Sequence, residues 1–309
     1  PRNYIHTEVR PIPLYTSRTI LFWSFRQLGT DTADFYESFS EPLFSFPVLF
    51  LAILLVLPFA AFIGYSVGKL ERKRLGYGKL PVDKLPGATS LGAMLALLGL
   101  LLGFAFSSSI NWREARQTAL IEEAASIGSA FLSADLLESD GRGRLQHVIL
   151  AYAKTRLAGP QDINSWQAFD AFLLRTREAQ AQIWPTTLQA ISETTSEPVK
   201  ALVARSVMDM LDAHTRRIAA AGEHIPKPAM IMIVTAAIFA IAIVGNRSAL
   251  QGRPLTWRTF TFAGVLSIVM AVIVDLDRPL EGTMRQNVDP MIEVIHDMEN
   301  ALSIQQLES

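Results

Sequence analysis

The sequence predicts an all-α membrane protein, with four transmembrane helices and a helical extramembrane domain inserted between the second and the third. The first observation behind this fold class is composition: 50% of the 309 residues are hydrophobic, 18% are charged, and the mean hydropathy is +0.26. The second is that four windows of the chain contain no charged residue. The third is a long segment, 113–227, that is rich in strong helix formers and has no sustained alternation of apolar and polar residues.

The four charge-free windows are long enough to be transmembrane helices, because about 20 helical residues cross a hydrocarbon core about 30 Å thick. The fourth window is the shortest, and Arg258 and Asp275 stand at its two ends, where both can reach the polar interface. Buried helices of a soluble core would explain one such window but not four. The windows are 42–68, Leu85–Trp112, Pro228–Asn246 and Thr259–Val274.

The loops between these spans predict an orientation. Residues 69–84 carry six Lys and Arg against two acids, and residues 247–258 carry three Arg and no acid. By the positive-inside rule both loops are cytoplasmic, so both tails and segment 113–227 are exoplasmic. That segment has 13 basic and 14 acidic residues and constrains the orientation only weakly.

The helical segment is predicted to contain helices 112–138, continuous with the second span, 142–157, 162–183, stopped near Pro185, and 197–222. The helix after the second span carries an apolar stripe, which requires a partner helix and makes packing against a second copy plausible. That stripe consists of Ile121, Ala124, Ile127 or Gly128, and Phe131. The predicted domains are a tail with an interfacial segment (1–41), spans 1 and 2 (42–112), the helical domain (113–227), spans 3 and 4 (228–275) and an acidic tail (276–309).

Several function classes are excluded by composition and motifs. A net charge of −1 and a pI near 6.6 argue against nucleic acid as a partner. The chain has no cysteine, and its five histidines have no metal-binding spacing. No nucleophile, phosphate-binding or dinucleotide motif is present. The protein is therefore predicted not to be an enzyme, with no catalytic residue, metal site or cofactor.

The second span carries small side chains on one face, at Gly92, Ala96, Gly99, Gly103 and Ser107. The plainer interpretation is helix–helix packing through Gly92, Ala96, Gly99 and Gly103, because small residues let helices approach closely in a bilayer. The functional interpretation is a pore-lining face. It gains support because the stripe runs into the polar residues Ser107–Asn111 and then into Arg113 and Arg116, and a ring of arginines favours anions. Alternatively, these arginines pair with Glu114 and surface acids.

Two acidic sites remain open at this stage. Asp275 and Asp277 stand at the C-terminus of the fourth span, where the helix dipole disfavours negative charge. They pair with Arg278 or a neighbouring chain's cation, bind a metal cation, or mark the membrane boundary. One of Glu122 and Glu123 meets Arg113 or Arg116 of a neighbouring chain, or both are solvated.

Two stretches carry a family resemblance. The first is GLLLGFAFS at Gly99–Ser107, followed by Arg113, Arg116 and EEAASIGSAFLSADLL at residues 122–137; the second is DLDRPLEG at Asp275–Gly282. Together they resemble the bacterial bestrophin-like membrane protein family, a domain family of unknown function. The resemblance covers about residues 45–300.

The resemblance implies a homo-oligomeric anion channel in a bacterial inner membrane. It assigns the pore lining to Gly99, Gly103, Phe104, Ser107 and Ser108, to which Asn111 and Arg113 are added as the polar mouth. It assigns gating or cation binding, with calcium as the candidate ion, to Asp275, Asp277 and Glu281. Two features differ: bestrophins have a longer acidic run, and they hold their helical domain in the cytoplasm.

The functional expectation is therefore a homo-oligomeric, multi-pass membrane protein that conducts a small inorganic anion passively through a pore lined by the second span. The alternative is a non-catalytic accessory or scaffolding subunit that docks another membrane protein complex. Its partners are the lipid bilayer, further copies of the chain and, under the alternative, that foreign complex.

Overall fold

The computed structural model describes residues 46–75, 88–158, 166–191, 195–278 and 286–308. The predicted N-terminal tail (1–41) and Glu281 lie outside the described residues. Within the described ranges the regular structure is helical and contains no strand. The prediction of an all-α fold is confirmed.

The described helices follow the order of the predicted spans and domain. A single 3₁₀ turn, Ala134–Leu136, follows the second helix. The helices are α1 (Phe46–Leu75), α2 (Ala88–Ser133), α3 (Ser139–Lys154), α4 (Trp166–Ala190), α5 (Glu197–Gly222), α6 (Lys227–Leu250), α7 (Trp257–Asp277) and α8 (Asp289–Glu308).

Four described stretches of helix are long and apolar enough to cross a membrane, as predicted. Two of them are α1 and α7 almost in full, and the others lie in the stretches Thr89–Leu136 and Glu197–Leu250. With 46 residues, α2 is about 69 Å long, more than twice the hydrocarbon thickness. Its second half therefore extends well beyond the length of a membrane span.

The transmembrane bundle packs most closely where α1 meets α6. A Cβ atom on Gly64 would overlap the backbone carbonyl of Ala242, and one on Gly245 would overlap the carbonyl of Ala61. Only glycine permits backbones to approach this closely. The small-residue stripe in the sequence predicts packing on the second span; Gly64 and Gly245 carry no such signal, because they lie in different spans and show no motif together.

The helical domain has its own buried core, formed within one chain. Ala124, Ile127 and Phe131 of α2 are buried there, together with residues of α3, α5 and α8. The predicted stripe is correct at these positions, but Ile121 is 47% exposed. The stripe therefore finds its partner helices in its own chain and needs no second copy to cover it.

Several features of the described helices differ from the prediction, of which three are instructive. Helix α4 continues through Pro185 to Ala190. Proline leaves the carbonyl of Ala181 without its helical hydrogen bond, but Ala181 is exposed and water can solvate it, while buried Ile183 and Thr187 pack on either side. Helix α3 begins at Ser139, before the predicted start. Helix α8 forms inside the predicted acidic tail, where Met291 and Met298 anchor it in the domain core.

Candidate pore face and the polar contacts that position it

The predicted pore face of α2 points away from the other described helices. A Cβ atom built on Gly99 or Gly103 would meet no atom within 4 Å, and Phe104 is 64% exposed. On the opposite side of the helix, Leu98 and Ala105 are buried in the transmembrane core. Helix α2 therefore packs on the bundle with one side and leaves the predicted pore side open.

The polar end of this face is also largely uncovered by the other described helices. Ser107, Asn111 and Arg113 are exposed, and Ser108 is half-buried. Gly92 and Ala96, assigned to helix packing with Gly99 and Gly103, are exposed too. Gly92 meets no atom within 4 Å of an added Cβ. Any packing through this stripe would therefore have to involve another chain, because the described residues of this chain do not cover it.

The exposed face continues along α2 beyond the membrane. Successive exposed residues follow each other at steps of three or four, which is the spacing of one helix face. Apart from Ile121, their side chains are small or polar before the face ends in exposed leucine. They are Ala115, Thr118, Ile121, Ala125, Ser129 and Leu132.

Arg116 lies only about 60° around α2 from Arg113, but on the buried side of the packing boundary, and has a structural role. It is 2% exposed, its Nη2 donates to the carbonyl oxygen of Leu276 at 2.7 Å, and its Nη1 donates to the carbonyl oxygen of Glu223 at 3.0 Å. Glu223 precedes α6 and Leu276 ends α7. One guanidinium thus joins the second, third and fourth spans, so the expectation that Arg116 faces a pore with Arg113 is wrong for this chain.

Asp277 contributes to the same junction. Its Oδ1 accepts a hydrogen bond of 2.8 Å from the backbone N–H of Ile225, in the connection that leads into α6. Asp275 is buried at the end of α7. Within the described ranges no three His, Cys, Asp or Glu side chains are grouped so that they could hold a metal ion. Of the three residues predicted to bind a cation, the structure describes Asp275 and Asp277. The carboxylate of Asp277 accepts a hydrogen bond from the backbone of Ile225.

A buried ionic cluster lies farther along α2, around Glu123, which is 0% exposed. Its Oε1 accepts from Arg156 Nε at 2.8 Å and from the Tyr152 hydroxyl at 3.1 Å, and it lies 3.2 Å from His214 Nδ1. Its Oε2 accepts from Arg217 Nη1 at 2.5 Å. Tyr152 and Arg156 belong to α3 or the turn after it, and His214 and Arg217 to α5. This cluster joins three segments of the domain.

The chemistry of the cluster is that of a fixed, ionised carboxylate. Two guanidinium groups stay charged and stabilise the carboxylate of Glu123. Burial raises the pKa of Tyr152, so its hydroxyl stays protonated and donates to Glu123. The two expectations for Glu123, a neighbour's arginine or plain solvation, are both wrong. Glu122, one residue earlier, is exposed and lies 3.6 Å from Arg216.

No sequence pattern marked this cluster, because its members are distant along the chain. The available signal was indirect: Glu123 falls between Ala119, Leu120, Ala124 and Ile127, all of which are buried. A carboxylate on the apolar side of a helix requires buried cations. Arg156 and Arg217 could then have been sought on the neighbouring predicted helices.

Comparison with known proteins decides the family. The model of the Bestrophin-like domain family matches residues 88–291, more than half of the chain. The chain belongs to the Bestrophin-like family. No curated protein matches this bestrophin-like chain. The matched segment contains α2 through α7 and therefore the candidate pore face, the Arg116 junction and the Glu123 cluster.

Solved structures share the fold of this bestrophin-like chain. Two variants of a bacterial bestrophin homologue from Klebsiella pneumoniae match with TM-scores of 0.57 and 0.55, at 13% and 12% identity. Each match covers 81% of this chain and 97% or 98% of the other. A crystal structure described only as a membrane protein matches with a TM-score of 0.54 at 11% identity, covering 81% of this chain and 96% of its own. At such identities the likeness concerns the fold alone.

Proposed function

We propose that the protein is one subunit of a homo-oligomeric channel, in which α2 of each subunit lines a pore that conducts small inorganic anions passively. The observation that carries this proposal is the open face of α2. Gly99 and Gly103 meet no atom of their own chain, while the far side of the same helix is buried. In a ring of subunits such a face either surrounds the axis or meets the neighbouring α2.

Charge along this face supports anions as the permeant species. Ser107 and Asn111 can exchange hydrogen bonds with a hydrated ion, and Arg113, two residues after Asn111, presents an exposed guanidinium. In a ring, symmetry would repeat this cation around the axis. Glu114 beside it is also exposed, so the net field depends on which of the two side chains faces the axis.

The homo-oligomer would continue outside the membrane. The exposed face of α2 reaches Leu132 without a change of direction, and this part of α2 is fixed to its domain by the Glu123 cluster. The proposed pore therefore extends into the helical domain and is held at a constant angle there. For gating we keep Asp275, Asp277 and Glu281 as the segment where calcium would act.

The proposed location is a bacterial inner membrane, with the basic ends of α1 and α6 in the cytoplasm and the helical domain outside. The chain has no cysteine, so single cysteines can report each side. Arg205→Cys tests the helical domain, and Arg253→Cys tests the turn after α6. In intact spheroplasts an impermeant maleimide should label only the first; labelling of only the second would reverse the orientation.

The test of conduction is a planar bilayer containing the purified protein under a chloride gradient. Currents with an anion-selective reversal potential are expected, with and without calcium. Silence across voltage, calcium concentration and pH would exclude the channel. The same preparation should be a closed ring by electron microscopy, because a monomer has no enclosed pore.

An accessory or scaffolding subunit remains the second candidate, and exposed leucines on the helical domain favour it. Leu174, Leu188 and Leu202 are each more than half exposed, on α4 and α5. Such side chains are suited to docking another protein. Extraction in mild detergent should then recover a stoichiometric foreign partner, whereas a symmetric homo-oligomer alone would count against this function.

A further inference from the structure

One end of the transmembrane bundle carries a dense group of cations, here called the basic collar. They come from the last turns of α1 and α6, the turn between α6 and α7, and the first turn of α7. In these described segments the one acid is Glu71, whose Oε2 accepts from Asn246 Nδ2 at 3.1 Å. The collar consists of Lys69, Arg72, Lys73, Arg74, Arg247, Arg253 and Arg258.

Packing holds the two halves of the collar together. Gly252, in the turn after α6, has a φ of 72°, in the left-handed region, and a Cβ atom there would overlap the guanidinium of Arg72. One turn earlier, a Cβ on Gly68 would lie 2.5 Å from the carbonyl oxygen of Asn246. The cations of both segments are therefore fixed at one surface, although more than 170 positions separate them in sequence.

The surface beside the collar is apolar and exposed. Phe62 and Val67 of α1 precede the first collar cation, Lys69, and Leu70 follows it; all three are about half exposed. Trp257 begins α7 beside Arg258 and is 72% exposed, in the position of an aromatic anchor at a membrane interface. A soluble polyanion would match the cations but leave this apolar surface unused. A phospholipid supplies both a negative headgroup and acyl chains.

We propose that the basic collar binds the headgroups of anionic phospholipids, whose acyl chains lie against the exposed apolar face of α1. Charge complementarity selects the headgroup, since juxtamembrane Lys and Arg attract anionic lipids. The adjoining face explains why the ligand is a lipid and not a free anion. Lipid binding at the collar does not depend on whether the protein conducts ions.

The test compares the apparent melting temperature of the full-length protein in nanodiscs of phosphatidylcholine with that in nanodiscs that also contain phosphatidylglycerol. Phosphatidylglycerol should raise it, and high salt should reduce the rise. The variant K73Q/R253Q/R258Q removes three exposed collar cations but keeps Arg72, and it should lose the rise. The matched control R144Q/R177Q/R205Q removes three exposed cations from the helical domain and should keep it.

Three results would overturn the proposal: no rise in the unaltered protein, an equal rise in both variants, or an equal rise caused by inorganic phosphate at the same ionic strength. A second measurement needs no collar variant and so covers the case in which that variant fails to fold. Brominated phosphatidylglycerol should quench tryptophan fluorescence more than brominated phosphatidylcholine at the same mole fraction. Trp257→Phe should abolish the difference; equal quenching by both lipids would contradict specific binding.

Discussion

Arg116 of α2 donates a hydrogen bond of 2.7 Å to the backbone carbonyl of Leu276, 160 positions later, at the end of α7. The last carbonyls of a helix have no partner within the helix, so a side chain or water must satisfy them. A buried guanidinium does so here and, through Glu223, also holds the start of the third span. The helix proposed to line the pore is thereby fixed to the rest of the bundle.

Arg116→Met should destabilise the protein, because two backbone carbonyls lose a charged donor. The expected loss is about 1–3 kcal/mol for each carbonyl left buried and unsatisfied. Arg113→Met, on the exposed side of the same helix, is the matched control and should change stability by less than about 0.5 kcal/mol. Thermal unfolding in detergent measures both. Equal shifts would show that the junction contributes nothing particular.

Glu123→Gln should be among the most destabilising single changes in the helical domain. It removes the negative charge that compensates Arg156 and Arg217, and breaking a buried ion pair costs about 3–5 kcal/mol. Glu122→Gln, which alters an exposed pair with Arg216, should cost less than about 1 kcal/mol. Limited proteolysis should cut the domain of the first variant and spare the second. The reverse order would contradict the assignment of the cluster.

Gly64→Leu and Gly99→Leu should have opposite consequences. Leucine at position 64 must push α1 away from Ala242, at a cost of about 3 kcal/mol or more, so expression and melting temperature should fall. Leucine at position 99 has open space within the chain and should leave the fold intact. If Gly99 lines the pore, the same change should reduce conductance several-fold. A Gly99→Leu protein that folds and conducts normally would exclude that position from the pore.

Arg113→Glu should change ion selection without changing the fold, because Arg113 is exposed. In a ring the substitution would replace a positive charge by a negative one in every subunit. The reversal potential in a chloride gradient should shift toward cation selectivity, most strongly at low salt. Arg144→Glu, an exposed change on α3, should leave it unchanged. An unaltered reversal potential in the Arg113 variant would remove Arg113 from the conduction path.

The attachment of α8 should depend on pH through Glu299. The hydrogen bond and charge of Lys154, 2.6 Å away, lower the pKa of Glu299. A lowered pKa means that the contact is fully formed above the ordinary pKa of glutamate and is lost as the pH falls through the lowered value. The protection factors of the α8 amides, corrected for the intrinsic pH dependence of exchange, should therefore fall modestly on acidification. Glu299→Gln should remove this dependence, and Glu293→Gln, an exposed change on the same helix, should keep it.

Local patterns in the sequence were enough for the spans and for much of the helical domain. Helix α5 begins and ends where its Ser196–Pro198 start and its apolar spacing predict. The same rules predicted that α4 ends near Pro185, whereas it continues to Ala190. A proline in the sequence gives no information about the packing that keeps a helix intact beyond it. They also left α8 in an acidic tail, since its buried methionines have meaning only with α2 and α3 beside them.

The candidate pore face also has one part that the sequence predicts and one part that it does not. The small-residue stripe of α2 is periodic and could be read from residues 92–107, so the open face was predictable as one side of a helix. The assignment of Arg116 was not, although it stands only three positions from Arg113. Three positions turn a helix by about 300°, so the two arginines point only about 60° apart. One is exposed and the other buried because the edge of the packed side of α2 falls between them, and the position of that edge is not visible in the sequence.

The sequence by itself determined that the chain is helical, that four of its segments are long and apolar enough to cross a membrane and that two short loops carry a basic excess, because hydropathy and helix spacing act over neighbouring residues. Only the tertiary structure decided which glycines bring helices together, which carboxylate is buried among arginines and which cations form one collar. Those relationships join residues tens to more than a hundred positions apart. Their energies depend on burial and distance, which exist only after the helices have packed.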